Sequence, residues 1–594
     1  MAEAAAQHDV GRSARVPLVV AGVVSVGLLV LLLGSAWRGL DPIDESYVLR
    51  LVRHPRSSVA AGEVYLFPFL LHPLLALCGN DVGLFRLVGD LVVGAVAAGC
   101  FVEGARLVAS RPQRLALAVG ALTTAAAAQL VFLLEVRVLS YRSLALVGLL
   151  LAAWGVARVQ RGRPLGGGAL LGAGACLVFV AKPTSAVALL LVVVALGLWV
   201  RPPLRSLLTA AGALLAGSVL VLALARMTPG DAGRYLAGGL DVVRRTGAYP
   251  SVPQLLGLGP VDVVALLFAV PLVVVLGAWL VGRRHADDGA TRVDAIVAPL
   301  LVLVGVGTAW LAVGLLSGST NGYRTLGVGV VLLGLAVPVL RGWTGEQRRR
   351  VLPVLVLVAL VPYLYAVGSN RELLTTTGQT AAAWVLLVGL LVVRSAGPVA
   401  GPGPQVVDDL PPVAPGLLVA ACSCVVLMVA PLWWDGPRSA QVSRADRPVG
   451  ILDGTLDVTP EAAAVLGPLH EVARRGGIDD RTPVVDLTGT QASVALALGG
   501  PPLGRAHFYT SWNGGVDSAR AALGRVPCTE RARAWLVVPA SGTPSLAEAW
   551  SADWARVAEA YVVAHRYTGY AATAGTEHLV LRPGPGVAAA LGCG

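Results

Sequence analysis

The chain has 594 residues, 56% of them hydrophobic and only 14% charged, with a mean hydropathy of +0.73. A soluble fold of this length could not solvate so much apolar surface, so a water-soluble globular protein is excluded. The net charge of +11 comes mostly from arginines in the connections between apolar runs, which is a topology signal and not a nucleic-acid footprint.

Apolar segments long enough, or nearly so, to cross a hydrocarbon core fall at 17–36, 83–106, 115–134, 143–158, 165–181, 185–200, 207–225, 260–282, 295–316, 326–340, 351–367, 380–394 and 413–431. They predict a mostly helical polytopic membrane protein with about thirteen spans. The first run is too long for a signal h-region and is read as an uncleaved span. Arginines cluster at alternate ends: Arg12 and Arg15, then Arg106, Arg111 and Arg114, then Arg158, Arg161 and Arg163, then Arg201 and Arg205, then Arg283 and Arg284, then Arg348 to Arg350. By the positive-inside rule those ends, and the tail 1–16, are cytoplasmic. An odd number of spans then places residues 432–594 outside a plasma membrane.

The first outer loop, 37–82, carries "GLDPIDESYVLRLVRHPR" (39–56). Asp41, Asp44 and Glu45 thus lie within a few residues of a membrane surface. Asp-Pro followed by Asp-Glu is a helix-start pattern. A carboxylate in a partly desolvated interface can also act as a general base, and two or three together can hold a divalent cation; spacing alone does not choose among these. The following "EVYLFPFLLHPLLALCGN" is apolar but broken by proline, which suits a helix lying along the interface.

Lys182, in "FVAKPTS", is the only lysine; the other 45 of 46 basic residues are arginines. At an outer turn it can offer a compact ammonium to an anion, or simply snorkel. Arg324 and Arg371 sit in short outer loops where positive charge is disfavoured, and each can bind a phosphate by paired hydrogen bonds or pair with lipid headgroups or the outer domain. Glu135 and Arg137 can pair with each other.

After 432 the apolar runs shorten to strand length, at 483–487, 534–540, 560–566 and 578–583, and helical patterns accompany them, for example at 460–475. Strands alternating with helices predict a small α/β domain. Its "RAHFYTSWNGG" (505–515) offers Tyr509, Trp512 and Asn513 for stacking on and hydrogen bonding to a sugar, or for packing on the membrane region. Cys528 and Cys593 both lie in this domain, where a disulfide is permitted if the compartment is oxidising.

The pattern "DE..Y" (Asp44, Glu45, Tyr47), then "Y.FP...HP" (Tyr65 to Pro73), "RLVGDLVVG" (86–94) and the segment 140–185 resemble the first spans of GT-C type membrane glycosyltransferases. The nearest branch is that of protein O-mannosyltransferases and aminoarabinose transferases. The resemblance covers roughly 17–200 and implies a GT-C-like catalytic region, 17–431, below an extracytoplasmic domain, 432–594. It implies transfer of a sugar from a polyprenyl-phosphate donor to an envelope glycan, lipid or protein at the outer face. It also implies catalytic roles for Asp44, Glu45 or Asp41 and phosphate binding by Lys182 and Arg324; Arg371, from its loop, is a further phosphate candidate, and Tyr47, Tyr65 and Trp512 are candidates for acceptor or sugar contacts. No cofactor follows from it except a divalent metal held by the carboxylates. Scarce lysine with abundant arginine, alanine and glycine points to a GC-rich bacterial source. A flippase for lipid-linked sugars would use similar cations but needs polar groups at mid-span, which are scarce here. An oligosaccharyltransferase or ligase would share the fold and move a larger donor.

Overall fold

The computed structural model describes residues 2–57, 59, 65–109, 114–133, 136–246, 345–368, 376, 378–395, 442–508, 510 and 514–593. The predicted segments 260–282, 295–316, 326–340 and 413–431 lie outside them, as do Glu135, Arg324, Arg371, Tyr509, Trp512 and Asn513.

The described chain is mostly helical. Helix α1 (Ala2–Gly34) leads to the short α2 (Asp44–Arg53) and α3 (Phe67–Leu77), then to α4 (Val82–Val108), α5 (Arg114–Ala128) and a one-turn α6 (Leu130–Leu133). A run of long apolar helices follows: α7 (Tyr141–Gln160), α8 (Pro164–Ala181), α9 (Pro183–Val200) and α10 (Leu204–Ala225). An amphipathic α11 (Pro229–Thr246) comes next, and later α12 (Gly345–Ala366) and α13 (Ala381–Ser395). Among the described residues seven helices are long and apolar enough to cross a membrane. Starts are written locally: Asp81 accepts from Leu84 N–H at the head of α4, Ser140 and Ser143 form a capping box on α7, and Pro164 and Pro183 open α8 and α9.

Small residues set the closest packing. A methyl group on Gly148 of α7 would sit 2.6 Å from the carbonyl oxygen of Gly174 on α8, and one on Gly155 would sit 2.7 Å from that of Gly167. The two backbones therefore touch along a glycine seam, which substitutes close van der Waals contact for a hydrophobic drive that lipid cannot supply. Helices α5 and α7 are largely enclosed, whereas few residues of α9 and α10 are fully buried, as in helices at the lipid boundary of a bundle.

The C-terminal part holds an antiparallel hairpin, β1 (Arg447–Ile451) with β2 (Gly454–Val458), and helix α14 (Pro460–Gly476). Thr459 caps α14, Pro460 opens it, and Gly477 ends it at φ +70°, where a side chain would be strained. A four-stranded sheet of order β3-β4-β6-β5 follows, from β3 (Val484–Asp486), β4 (Trp535–Pro539), β5 (Tyr561–Thr568) and β6 (Glu577–Pro583). Strands β3 and β4 run parallel and the other pairs antiparallel. All four sheet strands fall on the apolar runs read from the sequence; the hairpin does not. Cys528 and Cys593 form a disulfide.

Candidate functional site: the acidic helix and its seam

The connections after α1, before α7, between α8 and α9, after α10 and after α12 meet one another at one end of the bundle. Leu66 N–H donates to Val180, Thr184 and Ser185 hydroxyls donate to Val367, and Arg137 donates to Arg38 O and Ser35 Oγ. The C-terminal part docks on this same end. Gly39 N–H donates to Asp457 O at 2.7 Å and Asp457 N–H to Trp37 O at 2.8 Å, a parallel bridge between the post-α1 turn and β2.

The three carboxylates of the first loop have different surroundings. Asp41 Oδ1 accepts from the backbone N–H of Ile43, Asp44 and Glu45 at 3.1, 2.6 and 3.3 Å, gathering the orphan donors at the start of α2. Glu45 is fully buried and forms a two-point pair with Arg86, Nε to Oε1 at 2.9 Å and Nη2 to Oε2 at 2.8 Å. Arg86 uses its remaining donors on the carbonyls of Ala36 and Gly39, both at 2.8 Å. Both charges are thus compensated where desolvation would otherwise be prohibitive. Asp44 stands half-buried at the first turn of α2, beside the C-terminal part, and its charge is felt by His507.

Arg50, two turns further along α2, is driven into the C-terminal part. It is buried and donates to Ala506 O at 2.7 Å and Val484 O at 2.6 Å. Burial lowers its pKa to about 10, with Asp486 opposing the shift, so it stays cationic at neutral pH. Asp486 is itself caged: it accepts from Thr488 N–H and Oγ1, Gly489 N–H and Gln491 N–H. His507 lies 4.0 Å from Asp486 and its ring centroid is 6.3 Å from that of Tyr47. Burial pushes His507 below the ordinary imidazole range, against the pull of Asp486 and the weaker pull of Asp44. Ser493 N–H donates to Pro42 O, and the Ser493 hydroxyl meets the Tyr570 hydroxyl at 2.8 Å. Sequence reasoning missed Arg50, Asp486 and His507, since their meeting joins positions more than 430 residues apart.

Lys182 is placed inward. It is 6% exposed, donates to Tyr365 O at 2.5 Å and lies 5.6 Å from the Tyr365 ring, tying the α8–α9 turn to α12. The expected presentation of its ammonium at the surface is not what the fold shows. Tyr65 stacks on Tyr141 at 4.6 Å and accepts at its carbonyl from Tyr235 Oη. Arg137 clamps the end of α1; Glu135, its expected partner, lies outside the described residues. Among the described residues no group of three His, Cys, Asp or Glu side chains has a geometry that could hold a metal ion.

At the far end of α2 a cleft of about 640 Å³ opens between Arg53–Ser57, α3 and the end of α10. A second, of about 600 Å³, adjoins it along α11, and both are lined by Arg56 and Arg226. Burial, with Arg53 and Arg50 nearby, pushes His54 down to about 4, so that imidazole is neutral at pH 7.

No protein-family model matches the sequence, and no curated protein matches it.

Proposed function

We propose that the chain is a GT-C type glycosyltransferase, transferring a sugar from a polyprenyl-phosphate donor to a cell-envelope acceptor, with Asp44 as the general base. The observation that carries this reading is the division of labour among the three carboxylates: Asp41 holds the helix start and Glu45 neutralises Arg86, while Asp44 stands half-buried at the seam. A base in such a place is desolvated enough to be effective and exposed enough to be reached. In the reaction Asp44 accepts the proton of the acceptor hydroxyl as its oxygen bonds to the anomeric carbon. The bond from that carbon to the phosphate oxygen breaks, and the phosphate departs with both electrons. Attack from the face opposite the leaving group inverts the anomeric centre. Lys182, turned onto Tyr365, is assigned a structural part and not the phosphate.

In this reading the chain spans a bacterial plasma membrane about thirteen times. The arginine-rich connections and the N-terminus are cytoplasmic, and the C-terminal part is extracytoplasmic. The Cys528–Cys593 disulfide supports that side, because such bonds persist in oxidising compartments. Cytosolic nucleotide sugars are then out of reach, which favours a lipid-linked donor.

The test is transfer of radiolabelled sugar from polyprenyl-phosphate donors to membrane acceptors. Asp44→Asn is expected to lower transfer by at least about a hundredfold with an unchanged melting temperature. Full activity in Asp44→Asn overturns its assignment as base.

A further inference from the structure

The shared wall of the two clefts has a composition that the acidic seam does not explain. Among the described residues, the lining of the first includes Arg53, Arg56 and Arg226 and no carboxylate. Arg53 leans towards Asp480 at 3.6 Å, a pair loosened by water because Asp480 is 80% exposed. In the second cleft Arg234 is held by Asp231, and Arg525 reaches Asp241 at 3.9 Å. Arg56 and Arg226 make no ion pair among the described residues, and both clefts converge on them. Arg226 also closes α10 at φ +53°, a left-handed conformation that an L residue adopts at a cost.

Apart from His54, Ser57 and His72, the rest of the lining is apolar. Phe69 and Pro73 of α3 form one side and Leu224 of α10 the other. Leu224 is 36% exposed and Leu220, one turn earlier, 54%, so an apolar stripe of α10 lies bare beside the cleft. Two guanidiniums match a phosphate by forked hydrogen bonds. An apolar exit along a boundary helix matches a hydrocarbon tail.

We propose that this cleft binds the phosphomonoester of a lipid, with Arg56 and Arg226 on the phosphate and the tail leaving along Leu220 and Leu224. The proposal deepens the transferase reading, on which it rests for choosing a lipid phosphate over free phosphate. Binding is read without turnover, so either reading can fail while the other stands.

The experiment uses the full chain in nanodiscs of zwitterionic lipid, titrated with farnesyl phosphate, and in a separate arm with inorganic phosphate. Arg56→Gln and Arg226→Gly are each expected to weaken farnesyl phosphate binding about tenfold, and the double variant roughly a hundredfold, as for loss of charge-assisted hydrogen bonds. Glycine suits the left-handed position, so the second variant removes the side chain without straining the turn. Arg205→Gln, at the opposite end of α10, is expected to bind as the parent does, which separates a site from general charge. Should any variant unfold, Arg56→Lys and Arg226→Lys are expected to retain part of the affinity. An unchanged affinity in the folded double variant, or an equal loss in Arg205→Gln, overturns the site. Inorganic phosphate binding as tightly as farnesyl phosphate overturns the lipid and leaves a free-anion site.

Discussion

The two ends of α2 are built on opposite plans. At the first turn, backbone donors are collected by Asp41 and Glu45 is locked to Arg86, while nearly two turns on Arg50 is sunk into the C-terminal part with its guanidinium on two carbonyls. At the last turn the chain passes into "RHPR" and a cleft whose arginines have only exposed partners or none among the described residues. One end fixes a geometry, and the other keeps charge available. The lesson is that burial of ionic groups near a site reports positioning, while weakly compensated cations report a ligand.

The strongest way to break this contrast is at Glu45. Glu45→Ala leaves Arg86 buried without its anion and is expected to cost about 3–5 kcal/mol, seen as a large drop in the unfolding midpoint in detergent. A change within error would mean that the pair does not organise the loop. Arg50→Met comes next. It preserves much of the stem volume but strands the carbonyls of Val484 and Ala506, with an expected cost of about 2–3 kcal/mol. Limited proteolysis should then release the C-terminal part sooner than in the parent, and equal cleavage rates would argue that the bridge to β2 suffices for docking.

The smallest effect is that of pH. His54 is depressed from 6.5 to about 4 in the folded chain, and His507 is depressed as well. The unfolded chain therefore binds these protons first, and stability present above pH 6.5 is lost as the pH falls through the window down to about 4. The unfolding midpoint should decline over that range, and His54→Asn should flatten the decline. A midpoint that rises on acidification would contradict the neutral state of both imidazoles.

Much of this architecture was legible because it is written locally. The long apolar runs that fall on described residues gave their helices, and four strand-length runs gave the sheet, the central "AWLVVPA" most clearly because β4 is buried along nearly all its length and so demands continuous apolar residues. The β1–β2 hairpin escaped: its strands are short and half exposed, although the Asp453-Gly454 pair at its turn is a hairpin signal. Helix α11 was hidden for a related reason, its charged residues reading as loop. The acidic triplet stood out by position, but its division into cap, ion pair and base depends on Arg86 and on the docked C-terminal part. Lys182 stood out by rarity, yet its direction is set by a carbonyl 183 residues away. Side-chain direction of this kind is a property of packing, not of spacing.

Helix α2 belongs to two bodies at once, and this has a thermodynamic consequence. The free energy that seats Arg50 on Val484 and Ala506 is the same free energy that holds the ten-residue helix carrying Asp44 in register. Loosening the C-terminal part, by whatever means, must therefore broaden the orientations available to that carboxylate by the same measure. By reciprocity, anything that fixes the carboxylate tightens the seam. The distal part thus acts as a governor on the acidic loop, through Arg50 and through the Ser493 N–H bond to Pro42 O.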